Sequence, residues 1–186
     1  RRWVYQAEAR RLREIEAGRH DQLDAVTLVS EAEVDVYRRC VTDFTPVHAV
    51  TNGVELERFQ TAGIPAHAPA EPRVVFTGVM DYPPNVDAVT WFARSVWPGV
   101  RERVPDATFR IVGRDPVRAV RQLDRQPGIT VTGRVPEVRD ELHAAALAVA
   151  PLRVARGVQN KVLEALAARR AVLASPQAWT GLDLRP

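Results

Sequence analysis

Cysteine, methionine and lysine each occur once in this chain of 186 residues, and what is scarce narrows its chemistry. Cys40 alone excludes an internal disulfide framework. The longest apolar run, Ala144 to Leu152, is too short to span a bilayer. The opening RRWVYQAEARRLRE is charged and carries no apolar leader core. His20, His48, His67 and His143 are scattered and suggest no metal-ligand cluster, so neither metal nor cofactor is expected. No G-x-G-x-x-G follows a strand-like segment and no G-x-x-x-x-G-K-[ST] occurs, which argues against a dinucleotide dehydrogenase and a P-loop NTPase. There is no D-x-D pair to bridge phosphates through a metal, and no G-x-S-x-G elbow for hydrolase chemistry. Aromatics are only 6% and do not interleave with the basic residues, so no nucleic-acid partner is expected.

What is present is ordinary for a globular chain: 46% apolar, 26% charged and a net charge of +3. All but one of the 26 basic residues are arginine, the exception being Lys161. The charge reads as a solvated surface. The chain starts at Arg1, has Met80 as its one methionine and stops at Pro186 after an apolar run. A piece of a longer protein is therefore expected, with any missing catalytic group upstream.

Residues 1–24 read as a helix, because Val4, Tyr5, Leu12, Ile15 and Leu23 fall in one stripe. AVTLVS (25–30) reads as a strand, with Ser30 capping a helix to about Arg39 and Glu33 completing a capping box. VHAVTNG (47–53) reads as a strand ending in a turn dipeptide. Residues 60–72 hold three prolines and almost no large apolar residue, which marks a linker and a boundary. Strands are then expected at 73–78, 108–113, 129–133, 146–151 and 171–175. Between them fall helices at 85–104 with a second piece from Pro98, 116–124, 137–143 and 157–168. Apolar, β-branched strands alternating with helices over short loops predict an α/β fold: a Rossmann-like parallel sheet with helices on both faces.

In open parallel sheets, ligands bind outside the carboxyl ends of the strands. Three expected strands end in Gly78, Gly113 and Gly133, which fits either turn chemistry or close approach of backbone to a ligand. A helix starting near Gly157 would present Gly157, Asn160, Lys161 and Glu164 on one face, with Val158, Val162 and Leu166 against the sheet. Its free N–H groups and positive dipole end suit a phosphate, and Glu164 could accept a pair of hydroxyl groups. A Lys–Glu pair on a helix surface explains the same residues without a ligand.

KVLEALAARRAVLAS resembles the K-x-L-E-A-x-A-x-x-x-P-V-V-A-S segment of retaining GT-B glycosyltransferases. TNGVELERF (51–59) is similar to that family's N-G-V-D-x-x-x-F interdomain signature. VFTGVMDYPPNVDAVTWF (75–92), FRIVG (109–113), VTGRVPEVR (131–139) and VAPLRVARGVQNKVLEALA (149–167) resemble one branch, the sugar transferases associated with the exosortase protein-sorting system.

The resemblance implies a two-domain enzyme. Residues 1–59 would be the end of the acceptor-side domain and the interdomain connection, 60–72 a linker, and 73–186 a truncated donor-binding domain. The implied activity is transfer of a sugar from a nucleotide-diphosphate sugar to a glycan or lipid-linked acceptor in cell-surface polysaccharide biosynthesis. The setting would be the bacterial cytoplasm or the cytoplasmic face of the membrane, with peripheral attachment through parts of the chain not present. The 186 residues alone would be inactive, and no catalytic side chain is identified in them.

By the same resemblance, Glu164 would bind the donor ribose and Gly157 would approach the sugar and phosphate. Lys161 would stand beside the phosphates, with Asn160 on the same helix face. Gly133 to Glu137, including Val135, would hold the base, and Gly78 with Asn85, after the first strand of the donor domain, would also bind the donor. The wider family has a glutamate where this chain has Arg156, and arginine and lysine where it has Val79 and Asn85. Positive charge would thus come from Arg156 and Lys161, as a diphosphate clamp. Two other readings stay open: a non-catalytic nucleotide-sugar-binding domain, which Arg156 favours, and a sugar-nucleotide 2-epimerase, which shares the GT-B architecture. The epimerase would need acidic groups for proton transfer, which the Arg156 loop does not supply.

Overall fold

In the computed structural model, residues 2–17, 22–41, 45–59, 71–155 and 157–182 are described. Arg156 and residues 60–70 of the expected linker lie outside that set. The chain divides into two compact units, 1–52 with 181–186, and 53–180.

In the first unit, α1 spans Arg2–Ala17, β1 Val26–Leu28, α2 Glu31–Cys40 and β2 Val47–Ala49. The two strands pair in parallel, Val26 opposite Val47 and Leu28 opposite Ala49. Ser30 caps α2, its Oγ accepting from the Glu33 N–H at 3.3 Å. The Glu33 carboxylate accepts from Val29 N–H at 3.3 Å, one residue before the cap, so the box closes a residue early. The apolar stripe of the first 24 residues is exposed: Val4, Tyr5, Leu12, Ile15 and Leu23 each keep roughly half or more of their surface open. Periodicity fixes which face of a helix is apolar, and burial needs a partner as well.

The second unit opens with α3, Leu56–Phe59. This short helix, grouped from sequence with the first segment, packs in the second unit. Phe59 is buried with Val75, Val112, Leu142 and Ala165. Five strands follow: β3 Arg73–Thr77, β4 Thr108–Val112, β5 Ile129–Gly133, β6 Leu147–Ala150 and β7 Ala171–Ala174. All four pairings are parallel, in the order β5-β4-β3-β6-β7. The expected Rossmann-like sheet is what forms, and its ends fall within about a residue of the apolar runs. The order reverses beside β3: the chain moves outward through β4 and β5, then crosses to β6 on the other side. The crevice outside the ends of β3 and β6 is therefore the topological switch point.

Helices cover both faces. On one, Val75, Val112 and Ala148 pack with Phe59, Leu142 and Ala165, from α3, α7 (Val138–His143) and α8 (Asn160–Ala167). On the other, Phe109 packs against Phe92 and Trp97, with ring centroids 4.9 and 5.5 Å away. The Trp97 indole N–H donates to the Pro127 carbonyl at 3.1 Å, satisfying its polar edge.

The long helix expected at 85–104 starts earlier and is not uniform. α4 spans Pro83–Trp91 and α5 Trp97–Arg103, joined without a break by a π-helical turn at Phe92–Val96. The Trp97 N–H donates to Phe92 O, five residues back. Pro98 has no N–H and its ring would crowd the carbonyl four residues before it, so a widened turn is how the helix passes it. The expected helix 116–124 is α6, Arg118–Arg121, tightening to a 3-10 turn at Gln122–Arg125.

Candidate functional site

The glycines that end β3, β4 and β5 form the floor of the switch-point crevice. Gly78 N–H donates to Val112 O at 3.0 Å and Gly113 N–H to Gly133 O at 3.1 Å, stapling the three strand ends. Gly78 and Gly113 are needed for packing: a Cβ on Gly113 would run into the Gly78 carbonyl, and one on Gly78 would lie 2.7 Å from Asn85 Nδ2. Gly133 has open space around its Cα but a φ of +68°, a conformation glycine adopts freely. It follows an irregularity: Val131 pairs with Ile111 and Gly133 with Val112, leaving Thr132 as an extra residue that turns the next loop.

Above this floor lies a cleft of about 480 Å³. Four segments line it: Thr77 to Val79 at the end of β3, Val112 to Arg114 at the end of β4, Arg134, Val135 and Val138 after β5, and Val158 to Lys161 with Glu164 after β6. Of the residues singled out from sequence, Gly78, Val135, Asn160, Lys161 and Glu164 line it together. Gly133 stands at its base through the hydrogen bond from Gly113. Arg156 lies outside the described residues.

Two placements differ from the sequence reading. The helix does not start at Gly157: α8 begins at Asn160 with Gln159 as its N-cap. Gly157 precedes it at a φ of +65°, so it belongs to the approach loop and not to the helix face. Left-handed backbone cannot continue into a helix, which delays the start. Asn85 is only 5% exposed and is absent from the cleft lining. Its side chain reaches Lys161 instead.

That contact joins the two sides of the switch point. Lys161 Nζ donates to Asn85 Oδ1 at 2.6 Å and stands 4.7 Å from the centroid of the Phe76 ring. Burial pushes the Lys161 ammonium down to about 8, against the opposing pull of Glu164. Burial likewise pushes the Glu164 carboxyl up, and the Lys161 and Arg58 charges pull it back. α8 therefore presents one cation and one carboxylate to the cleft on successive turns, both partly withdrawn from water, while Arg114 and Arg134 add guanidinium groups to its lining.

Arg58 was not found from sequence. Its guanidinium donates to Glu137 at 3.4 Å, and Arg139 donates to the Arg58 carbonyl at 3.4 Å. His143 Nε2 lies 2.7 Å from the Phe59 carbonyl. These contacts hold α3 to the segment after β5, and a smaller cavity of about 190 Å³ opens beside them, against Asn160 and Glu164. A lone arginine in a helix-like motif carries no signal of a partner 79 residues away. The same holds for the exposed pair of Arg153 and Asp87, which ties the loop after β6 to α4 at a distance of 2.9 Å.

Among the described residues no cluster of three or more histidine, cysteine or acidic side chains could hold a metal. No helix among them is long and apolar enough to cross a membrane.

Residues 71–182, more than half of the chain, match the family profile described as glycosyl transferases, group 1. No curated protein matches. Solved structures of the same fold include TarM, 17% identical over 87% of this chain and 31% of TarM, with a TM-score of 0.69. WaaG, a glycosyltransferase involved in lipopolysaccharide biosynthesis, is 14% identical over 84% of this chain and 45% of WaaG, with a TM-score of 0.64. HepE from Anabaena, in complex with UDP and glucose, is 13% identical over 81% of this chain and 44% of HepE, with a TM-score of 0.59. At these identities the likeness is one of fold, and the chain spans less than half the length of each of the three.

Proposed function

The chain belongs to the group 1 glycosyl transferases, and on that premise we propose that it forms the donor-binding part of an enzyme moving a sugar from a nucleotide-diphosphate sugar. The acceptor would be a glycan or a lipid-linked sugar of a cell-surface polysaccharide. The motif resemblance supports retention of configuration and placement near the exosortase-associated branch. Residues 73–186 would bind the donor, and residues 1–59 would come from the acceptor side and the connection between the domains. The protein would work in the bacterial cytoplasm, or attached to the membrane face through other parts of the chain.

One observation carries the reading: Lys161 and Glu164 lie side by side in a cleft at the switch point of a parallel sheet. The spacing suits a nucleoside diphosphate. Its phosphates would meet the N-terminal turn of α8 and the Lys161 ammonium, with Arg156 adding charge from the loop before. The ribose would present its hydroxyls to Glu164. The base would lie along Gly133 to Glu137, against Val135, and the sugar near Gly157 and Asn160. Among the described lining residues Glu164 is the one carboxylate. Catalysis here would rest on orienting the donor and stabilising the departing diphosphate, not on a side-chain base. A lone carboxylate also speaks against the 2-epimerase, which needs acidic groups to move a proton.

Nucleotide-sugar binding to the chain, read by calorimetry across uridine, guanosine, adenosine and thymidine diphosphate sugars, tests the reading. Binding of one series is expected, and no binding by any of them would reject it.

A further inference from the structure

Asn85 is a polar side chain buried on the first turn of α4, and both its amide nitrogen and its amide oxygen are engaged. Its Nδ2 donates to the Val79 carbonyl at 2.9 Å. That bond decides which end of the amide faces which way: nitrogen toward the β3–α4 loop, oxygen toward α8. The oxygen then accepts from Lys161 Nζ at 2.6 Å. Gly78 makes room for it, since a Cβ there would lie 2.7 Å from Nδ2.

We propose that Asn85 is a positioning residue that acts through Lys161, fixing the ammonium at the switch-point crevice so that it meets an anionic ligand of the cleft, and that Gly78 is glycine to admit the Asn85 amide. The ammonium has three N–H groups. One goes to Asn85, and the Phe76 ring lies against another side of the nitrogen. Since Lys161 lines the cleft, the remaining donor capacity faces a ligand there. A lysine is a mobile point charge on a four-carbon stem. Tethering it to a helix on the far side of the crevice removes that freedom before the ligand arrives, which lowers the cost of binding. Glu164, one turn along α8, is the charged neighbour that acts on it, whereas α4 supplies a neutral amide and β3 an aromatic ring. The inference rests on the donor-cleft reading for the identity of the anion alone.

Lys161 is the one lysine of the chain, so protein grown with 13C-labelled lysine gives a single ε-carbon resonance. Its pH titration reports the ammonium directly, without activity and without ligand. The wild-type midpoint is expected near 8. Asn85→Asp, of the same shape, adds a negative charge and should raise it. Asn85→Ala removes an acceptor that favours the charged form and should lower it. In parallel, the affinity for UDP and for inorganic pyrophosphate should fall about fivefold or more in Asn85→Ala, and should fall no further when Asn85→Ala is added to Lys161→Met. If Asn85→Ala fails to fold, the Asp variant carries the test. Midpoints that stay put, or move the same way in both variants, overturn the proposal. So does an Asn85→Ala loss that persists in the Lys161→Met background, since that would mark a merely structural role. Midpoints that split as expected in a chain binding neither UDP nor pyrophosphate would support the coupling and remove the donor reading instead.

Discussion

The Cα of Gly113 faces the Gly78 carbonyl so closely that no side chain fits between them: a Cβ on Gly113 would lie 2.8 Å from the Gly78 carbonyl carbon and nearer still to its oxygen. The ends of β3 and β4 are thus packed backbone to backbone beneath the cleft. Gly113→Ala is expected to destabilise the chain by about 3 kcal/mol or more, because backbone rather than a movable side chain must give way. Gly133→Ala meets open space and should cost only about 1–2 kcal/mol, for the left-handed φ alone. Denaturation midpoints of the two variants rank them, and equal losses would contradict this packing.

Glu164→Ala should weaken nucleoside diphosphate binding about tenfold or more, since a charge-assisted hydrogen bond contributes about 1.5–3 kcal/mol. The fold should survive, because Val162 and Ala165 make the fully buried contacts of α8. Calorimetry beside a thermal melt separates the two effects. Unchanged affinity would return Glu164 to a helix-surface role.

Lys161 makes binding depend on pH with a definite sign. Its ammonium is charged below about 8 and neutral above. Affinity for a nucleoside diphosphate should therefore fall as pH rises through that value, and uridine without phosphates should show no such fall. In Lys161→Met the diphosphate should bind more weakly and lose this component. Stability moves the other way. Between about 8 and the ordinary lysine value of 10.5 the unfolded chain holds the extra proton, so unfolding should become harder with rising pH there. Denaturant midpoints at intervals across that window, wild type against Lys161→Met, check it.

Arg110 on β4 makes two hydrogen bonds of 2.7 Å to the Glu141 carboxylate on α7, and both side chains are largely buried. The carboxylate raises the arginine further above its ordinary value. Glu141→Ala should cost about 2–3 kcal/mol, because it leaves the guanidinium without its partner in a poorly solvated site. An unchanged melting temperature would show that water replaces the carboxylate freely.

The sheet was legible in the sequence, and the long-range pairs of the site were not. Runs such as RVVFT and TFRIV put apolar residues on both faces, and two flanking helix layers are the environment that takes them. Lys161 and Glu164 could be placed on one helix face by spacing. Other features depend on contacts that spacing does not encode. Leu166 was expected against the sheet but is 37% exposed, while Ala165 beside it is fully buried. A residue's rotation about the helix axis is fixed by what the helix packs on, and small alanines let α8 lie close. Spacing alone starts α8 at Gly157, whereas the left-handed backbone there moves the start to Asn160. Asn85, which the resemblance places at the donor, accepts a hydrogen bond from Lys161, a contact that no local pattern reveals.

Ligand-induced shifts of the backbone amides on adding UDP and the other nucleoside diphosphates test the central claim most directly. The account predicts saturable shifts for at least one of them, concentrated at residues 77–79, 112–114, 133–138 and 158–164, and lost or strongly weakened in Glu164→Ala. Saturable shifts confined to another surface, such as the arginines at 118–125, or no saturable shift with any nucleoside diphosphate, would contradict it.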